Sequence, residues 1–197
     1  MDKHHQNPVI LPARGKSPEI SDSVWLAPNC TVVGEVKIGK ESTIWFGTII
    51  RGDVASITVG DRVNIQDGAV IHSTFNSSKT VLEDRVSIGH NAIIHGAKVC
   101  KGALIGMGAV VMDHVVVGER AVVAAGAVVL EGTQIPPMTL YAGVPAKNIG
   151  DVREDLQKHL SNTADRYVEY AGWFKGSELR QGQRITSSKS ISEPKKR

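Results

Sequence analysis

Aliphatic side chains recur every six residues along most of this chain. Ile20, Leu26, Val32, Ile38, Ile44 and Ile50 form one run, Val59, Ile65 and Ile71 a second, and Leu82, Ile88 and Ile94 a third. A five-residue step then leads to Val99, Ile105, Val111, Val117, Val123, Val129 and Ile135. Two residues before these positions the side chain is usually small or β-branched, as at Cys30, Thr48, Ala69, Ala92, Ala109 and Ala127. A helix would rotate the aliphatic position by about 600° per six residues and smear it around the axis. Six does contain the strand period of two, so each unit reads as a short strand followed by a turn. Units stacked one coil apart then close a continuous aliphatic core. The phase slips at Arg51-Gly52-Asp53 and again across residues 73–80.

Residues 151–175 change character. Val152, Leu156, Leu160, Ala164 and Val168 step by four among Asp, Glu, Lys and Arg. This spacing predicts one amphipathic helix laid against the stacked strands. The expected organisation is an N-terminal segment over 1–14, the repeat unit over 15–150, the helix over 151–175 and a basic tail over 176–197.

Composition narrows the class. The 197 residues include 41 Val and Ile and 20 Gly, with aromatics at only 5%. That aliphatic content excludes a mainly disordered chain. No apolar run approaches 18 residues, so no membrane span is expected. The first residues lack the apolar stretch of a secretory signal. Cys30 and Cys100 make no disulfide framework, and a reducing cytoplasm is the expected compartment. The net charge of +3 belongs to the tail: residues 177–197 carry six Lys/Arg against two Glu, which leaves residues 1–176 at −1. A nucleic-acid partner is therefore not expected.

Three of the seven histidines fall in register with the repeat. His72 follows Ile71 and His95 follows Ile94, and three hexapeptide steps separate them. They should stack on one side, one strand spacing (about 4.8 Å) apart, and can share a metal. His90 lies on the preceding side of the same coil, up to ~16 Å away along extended chain. One chain does not readily bring all three together, but a three-fold oligomer sets His90 of one subunit against His72 and His95 of the next. Arg51 and Asp53 fall near the His72 column, and Asn64, Gln66 and Asp67 precede the His90 column. An ion pair that assembles the subunits and a catalytic role both fit Arg51, Asp53 and Asp67.

Arg51-Gly-Asp53, Asn64-Ile-Gln66-Asp67-Gly68, His72 and Gly89-His90-Asn-Ala-Ile-Ile-His95-Gly96 together resemble the gamma-class carbonic anhydrase family. The resemblance covers about residues 15–175. It implies an all-β fold, a left-handed parallel β-helix of hexapeptide repeats with a C-terminal helix. It implies a homotrimer binding Zn2+, or Fe2+ or Co2+, through two His of one subunit and one of the next. Arg51 and Asp67 would pair across the interface, Gln66 would hydrogen-bond the metal-bound water, and Asn64 and Tyr141 would lie near the site. The reaction implied is reversible hydration of CO2, a small-molecule substrate, by metal-bound hydroxide.

The sequence departs from the archetypal enzymes where they carry acids. Val54 follows the Arg-Gly-Asp segment, Phe75 stands by offset at the second acidic place, and the loop 73–80 has no carboxylate. Three other readings stay open: hydrolysis of an acyl-coenzyme A thioester at the same metal; hexapeptide acyl transfer, which needs one base rather than three clustered histidines; and a non-enzymatic scaffold or assembly subunit that keeps a vestigial metal, against which the intact histidine set argues.

Overall fold

In the computed structural model, which describes residues 7–174, the repeat folds as a left-handed parallel β-helix with three faces. One face stacks Thr31–Ile38, Ile49–Val59, Val70–His72, Ile93–His95, Val110–Val111 and Val128–Val129. A second stacks Thr80–Leu82, Lys98–Val99, Val116–Val117 and Gln134–Ile135 beyond the far end of Ile49–Val59. The third runs from Trp25–Leu26 through Thr43–Ile44, Asn64–Ile65, Ser87–Ile88, Leu104–Ile105 and Val122–Val123 to Thr139–Gly143.

Of the nineteen phased aliphatics, seventeen are buried and fall in one core cluster, while Ile20 and Leu26 cover its open end. Each turn of the coil brings every aliphatic over its counterpart, as in Ile50↔Ile71 and Ile71↔Ile94. The small residues at i−2 are buried beside them, where a larger side chain would have no room.

The phase slip at residue 51 has a steric origin. Thr31–Ile38 and Ile49–Val59 run unbroken around one corner, joining two faces into one sheet. At that corner Gly34, at φ +78°, faces Gly52, and a Cβ on Gly52 would lie 2.6 Å from the Glu35 carbonyl oxygen. Only glycine lets the two coils approach there. The flanking Arg51 and Asp53 consequently project from a fixed backbone.

Strands extend beyond the expected boundaries. Val9–Leu11 already pairs with Thr31–Val33. At the other end Ala146–Asp151 turns back antiparallel on Thr139–Gly143, so the segment expected as a plain link is a hairpin. The single helix expected over 151–175 is two: α1, Glu154–Ser161, and α2, Thr163–Gly172. They break at Asn162, where Ser161, Asn162 and Thr163 put three poor helix formers in a row. The tail from residue 176, with His4 and His5, lies outside the described residues.

Two arginines fix α2 against the prism. Arg62 and Arg85 bind the Asp165 carboxylate at 2.6 and 2.8 Å, and Arg85 also donates to the Ser161 carbonyl at 2.8 Å. Beyond them, seven of the nine aromatic residues gather where α2 meets the first coils. Trp25 and Trp45 lie 4.8 Å apart, and Phe46, Tyr167, Tyr170, Trp173 and Phe174 extend the cluster.

Ile105 is fully buried in the middle of the column, stacked between Ile88 and Val123. Truncating it to Ala should lower stability by about 2–5 kcal/mol. A urea midpoint at fixed protein concentration, compared with the unaltered chain, checks this.

Candidate metal centre

The pairing of Val70–His72 with Ile93–His95 puts His72 and His95 directly opposite each other. Their rings are 5.2 Å apart, and Nδ1 of His72 lies 3.2 Å from Nε2 of His95. The remaining nitrogen of each ring is occupied by a carboxylate. His72 Nε2 donates to Asp53 at 3.0 Å, and His95 Nδ1 donates to Asp113 at 2.7 Å. These partners fix the tautomers so that the two unshared nitrogen lone pairs face each other across 3.2 Å. Such an arrangement calls for a cation between the rings. Two metal–nitrogen bonds of 2.0–2.1 Å at a tetrahedral angle would put the nitrogens about 3.3 Å apart. The donor set thus fits a divalent metal of the zinc class.

The carboxylates are themselves held. Burial raises the Asp53 carboxyl, but hydrogen bonds from Arg51 and His72 and the Arg51 charge outweigh it and keep it below its ordinary value. Arg51 reaches Asp53 at 2.5 Å. For Asp113, burial is likewise outweighed by hydrogen bonds from Ser78 and His95. His72 is lowered, chiefly by burial and only partly offset by its bond to Asp53. It therefore stays neutral, able to ligate, at a pH where a free imidazole begins to charge.

Asp113 was not anticipated from the sequence. It lies on the coil above His95, and the phased aliphatics mark only inward positions, so an outward carboxylate one coil away left no periodic signal. Through the Ser78 hydroxyl it also anchors the loop 73–79. Ser78 Oγ accepts the Thr74 amide at 3.0 Å, and Thr80 Oγ1 donates to the His72 carbonyl at 2.7 Å. The loop and both ligand rings form one hydrogen-bonded unit.

His90 stands at the next corner, and its Nδ1 donates to Asp67 at 2.8 Å, leaving Nε2 free. Among the described residues, no group of three His, Cys, Asp or Glu converges within one chain. Nearby, Ser87, Asn64 and Gln66 form a buried chain. Asn64 Nδ2 donates to Ser87 at 2.8 Å, and Gln66 Nε2 donates to Asn64 Oδ1 at 3.0 Å, which leaves the Gln66 Oε1 as an acceptor. Within the chain Arg51 is paired with Asp53 and Asp67 with His90, not with each other.

Tyr141 is not brought to this group within one chain. It is four strand spacings from Ile65 on the third face, about 19 Å along the axis. It packs instead on the end of the core. Tyr167 of α2 does approach: burial, then the Asp67 charge, pushes its hydroxyl up to about 12, and its ring lies 5.4 Å from Trp45. It is three residues beyond Ala164 on the packed side of α2, a step that the spacing of four passes over.

The outer side of the histidine-bearing face is apolar. Ile49, Val70, Ile93, Val110 and Val128 line up in register beside the ligand column, which continues above His95 as Met112 and Leu130. Ile49 and Ile93 are 39% and 40% exposed and Leu130 is 50% exposed. An apolar strip of this length on the outside of a coil marks a contact surface.

A three-sided parallel coil carrying carboxylate-oriented imidazoles defines a hexapeptide-repeat protein with a candidate metal site. Profiles described as bacterial transferase hexapeptide (six repeats) match residues 17–52 and 96–131, and one described as hexapeptide repeat of succinyl-transferase matches residues 79–112. A carbonic anhydrase of Geobacillus kaustophilus is 43% identical over 85% of this chain and 91% of its own. A probable carbonic anhydrase of Methanocaldococcus jannaschii is 45% identical over 76% and 94%. A crystal structure of a putative acetyltransferase from Bacillus cereus superposes with a TM-score of 0.83 at 41% identity, over 86% and 98%. The chain belongs to the gamma-class carbonic anhydrase-like family. No described helix is long and apolar enough to cross a membrane.

Replacing Asp113 with Ala removes the partner of His95 Nδ1. Affinity for Zn2+ should fall about 10- to 100-fold, read by competition with a chromophoric chelator, with the far-UV circular dichroism unchanged.

Proposed function

We propose that this chain is a metal-dependent carbonic anhydrase-type lyase, a homotrimer in which His72 and His95 of one subunit and His90 of the next hold each ion. The observation that carries the reading is the His72–His95 nitrogen pair, 3.2 Å apart with each opposite nitrogen tied to a carboxylate. The coarser reading, a carbonic anhydrase-like enzyme with a metal cofactor, rests on the relatives as well. When bound, Zn2+ (or Fe2+ or Co2+) supplies a Lewis acid that brings the pKa of water toward 7.

The chain's own groups then divide the work. Asp53, Asp113 and Asp67 hold the imidazoles in ligating tautomers. Gln66, steadied by Asn64, offers Oε1 to orient a water for attack on CO2. Arg51 neutralises Asp53 within the chain, and an encounter with Asp67 of a neighbouring subunit remains open to it. Tyr141 can enter the site only from another subunit. The apolar strip of Ile49, Val70, Ile93, Val110 and Val128 supports burial of this face against a second copy. Three histidines, each oriented by its own carboxylate, exceed what acyl transfer requires, since one base suffices there.

The loop 73–79 holds no carboxylate to carry a proton away, and its Phe75 is 51% exposed. With no acid at that place, proton export in this reading depends on added buffer. Raising imidazole from about 1 to 50 mM should increase the stopped-flow hydration rate several-fold. A rate independent of buffer, or acyl-coenzyme A hydrolysis faster than CO2 hydration on the same metal-loaded sample, would overturn this assignment.

His90→Ala should lose the metal, measured as ions per subunit by elemental analysis, while sedimentation still gives the trimer. One ion per subunit in that variant would refute the shared ligand set.

A further inference from the structure

Beside Asp53 opens a cleft of about 280 Å3, lined by Arg14, Lys16, Glu35, Asp53, Val54 and Phe75 among others. Its volume falls just below the range of pockets that take drug-sized ligands, so it suits a small solute with a few waters. Its charges are mostly spoken for. Asp53 is tied to Arg51 and His72, and Lys16 faces Glu35 at 3.9 Å.

Arg14 differs. Arg51, Arg62, Arg85, Arg120 and Arg153 each meet a carboxylate. The Arg14 guanidinium instead lies over the Phe75 ring, 4.9 Å from its centre. Stacking of this kind holds the flat group without consuming its N–H donors, which remain in the plane to receive an oxyanion.

Both halves of the pair are braced. Arg14 and Gly15 adopt positive φ in a tight turn closed by paired Ala13 and Lys16 backbones at 2.9 Å. Phe75 rides on the loop pinned through Ser78 to Asp113 and through Thr80 to His72. Phe75 is 51% exposed, and its ring carries the Arg14 guanidinium.

We propose that Arg14, stacked on Phe75, is the receiving group of an anion vestibule, a specificity-determining site that takes bicarbonate or a similarly small carboxylate at the mouth leading to Asp53 and His72. The inference deepens the lyase reading by naming where the charged partner of CO2 docks. Neutral CO2 has no use for the guanidinium.

The test uses the full-length, metal-loaded protein and the same protein stripped of metal by chelator, at constant ionic strength. The probes are sodium bicarbonate, sodium acetate and, as the neutral isostere, acetamide. The readout is the NMR resonance of the Arg14 Nε–H group, which reports binding whether or not the protein hydrates CO2. Bicarbonate and acetate should shift it saturably in both samples, and acetamide should not. Arg14→Gln should weaken acetate binding to the stripped protein at least about tenfold, as expected for loss of charge-assisted hydrogen bonds. Arg14→Lys should recover only part of this, and Phe75→Leu should weaken it with Arg14 in place.

Equal acetate affinity in the unaltered and Arg14→Gln proteins, or equal shifts from acetate and acetamide, overturns the inference. If hydration proceeds and these equalities hold, the vestibule alone is wrong. If Arg14 binds acetate as described and CO2 is not hydrated, the vestibule stands and the lyase reading falls.

Discussion

One coil of this prism advances by one strand spacing, and that single repeat distance governs everything built on its surface. Hydrogen bonding between parallel strands requires it, and the inward aliphatics at every sixth position enforce it by stacking upon one another. An outward residue is thereby delivered directly above its counterpart one coil below. At most positions the result is a column of Val or Ile. At residues 72 and 95 it is two imidazoles at a separation suited to a shared ion. The separation of the two rings needs no special loop or strained backbone; it is inherited from the sheet.

Local departures from the repeat put chemistry where regular coils could not. Glycines facing one another at residues 34 and 52 let two strands turn a corner together. The side chains bracketing that corner, Arg51 and Asp53, reach sideways toward the ligand column. The insertion at residues 73–80 interrupts the period directly after His72, and its hydroxyls return to the same hydrogen-bonded unit. Irregularity in this fold is concentrated beside the histidines, while the coils above Val111 run on without interruption.

Much of this was legible in the order of residues. The nineteen phased aliphatics define the core, because an inward position tolerates only a narrow range of shapes and so leaves a periodic trace. Stacking of His72 on His95 follows from counting coils. Asp113 and Tyr167 left no such trace: one is an outward residue whose partner His95 is eighteen positions away, the other depends on where a helix comes to rest. Tyr141 was expected near the site by resemblance, but its column places it far along the axis within one chain. The break at Asn162 was hidden because spacing by four continues smoothly across it, and only the local weakness of Ser-Asn-Thr as helix formers marks it.

The Ser78 hydroxyl has a consequence of its own. It joins a surface loop to the carboxylate that orients His95, so a change that moves Ser78 disturbs the bond that holds that ring. Variation in such a segment is ordinarily inexpensive because nothing beneath it notices. In this chain the rim and the interior of the candidate centre are joined through one hydroxyl, so a substitution at the surface position 78 reaches the partner of His95 directly.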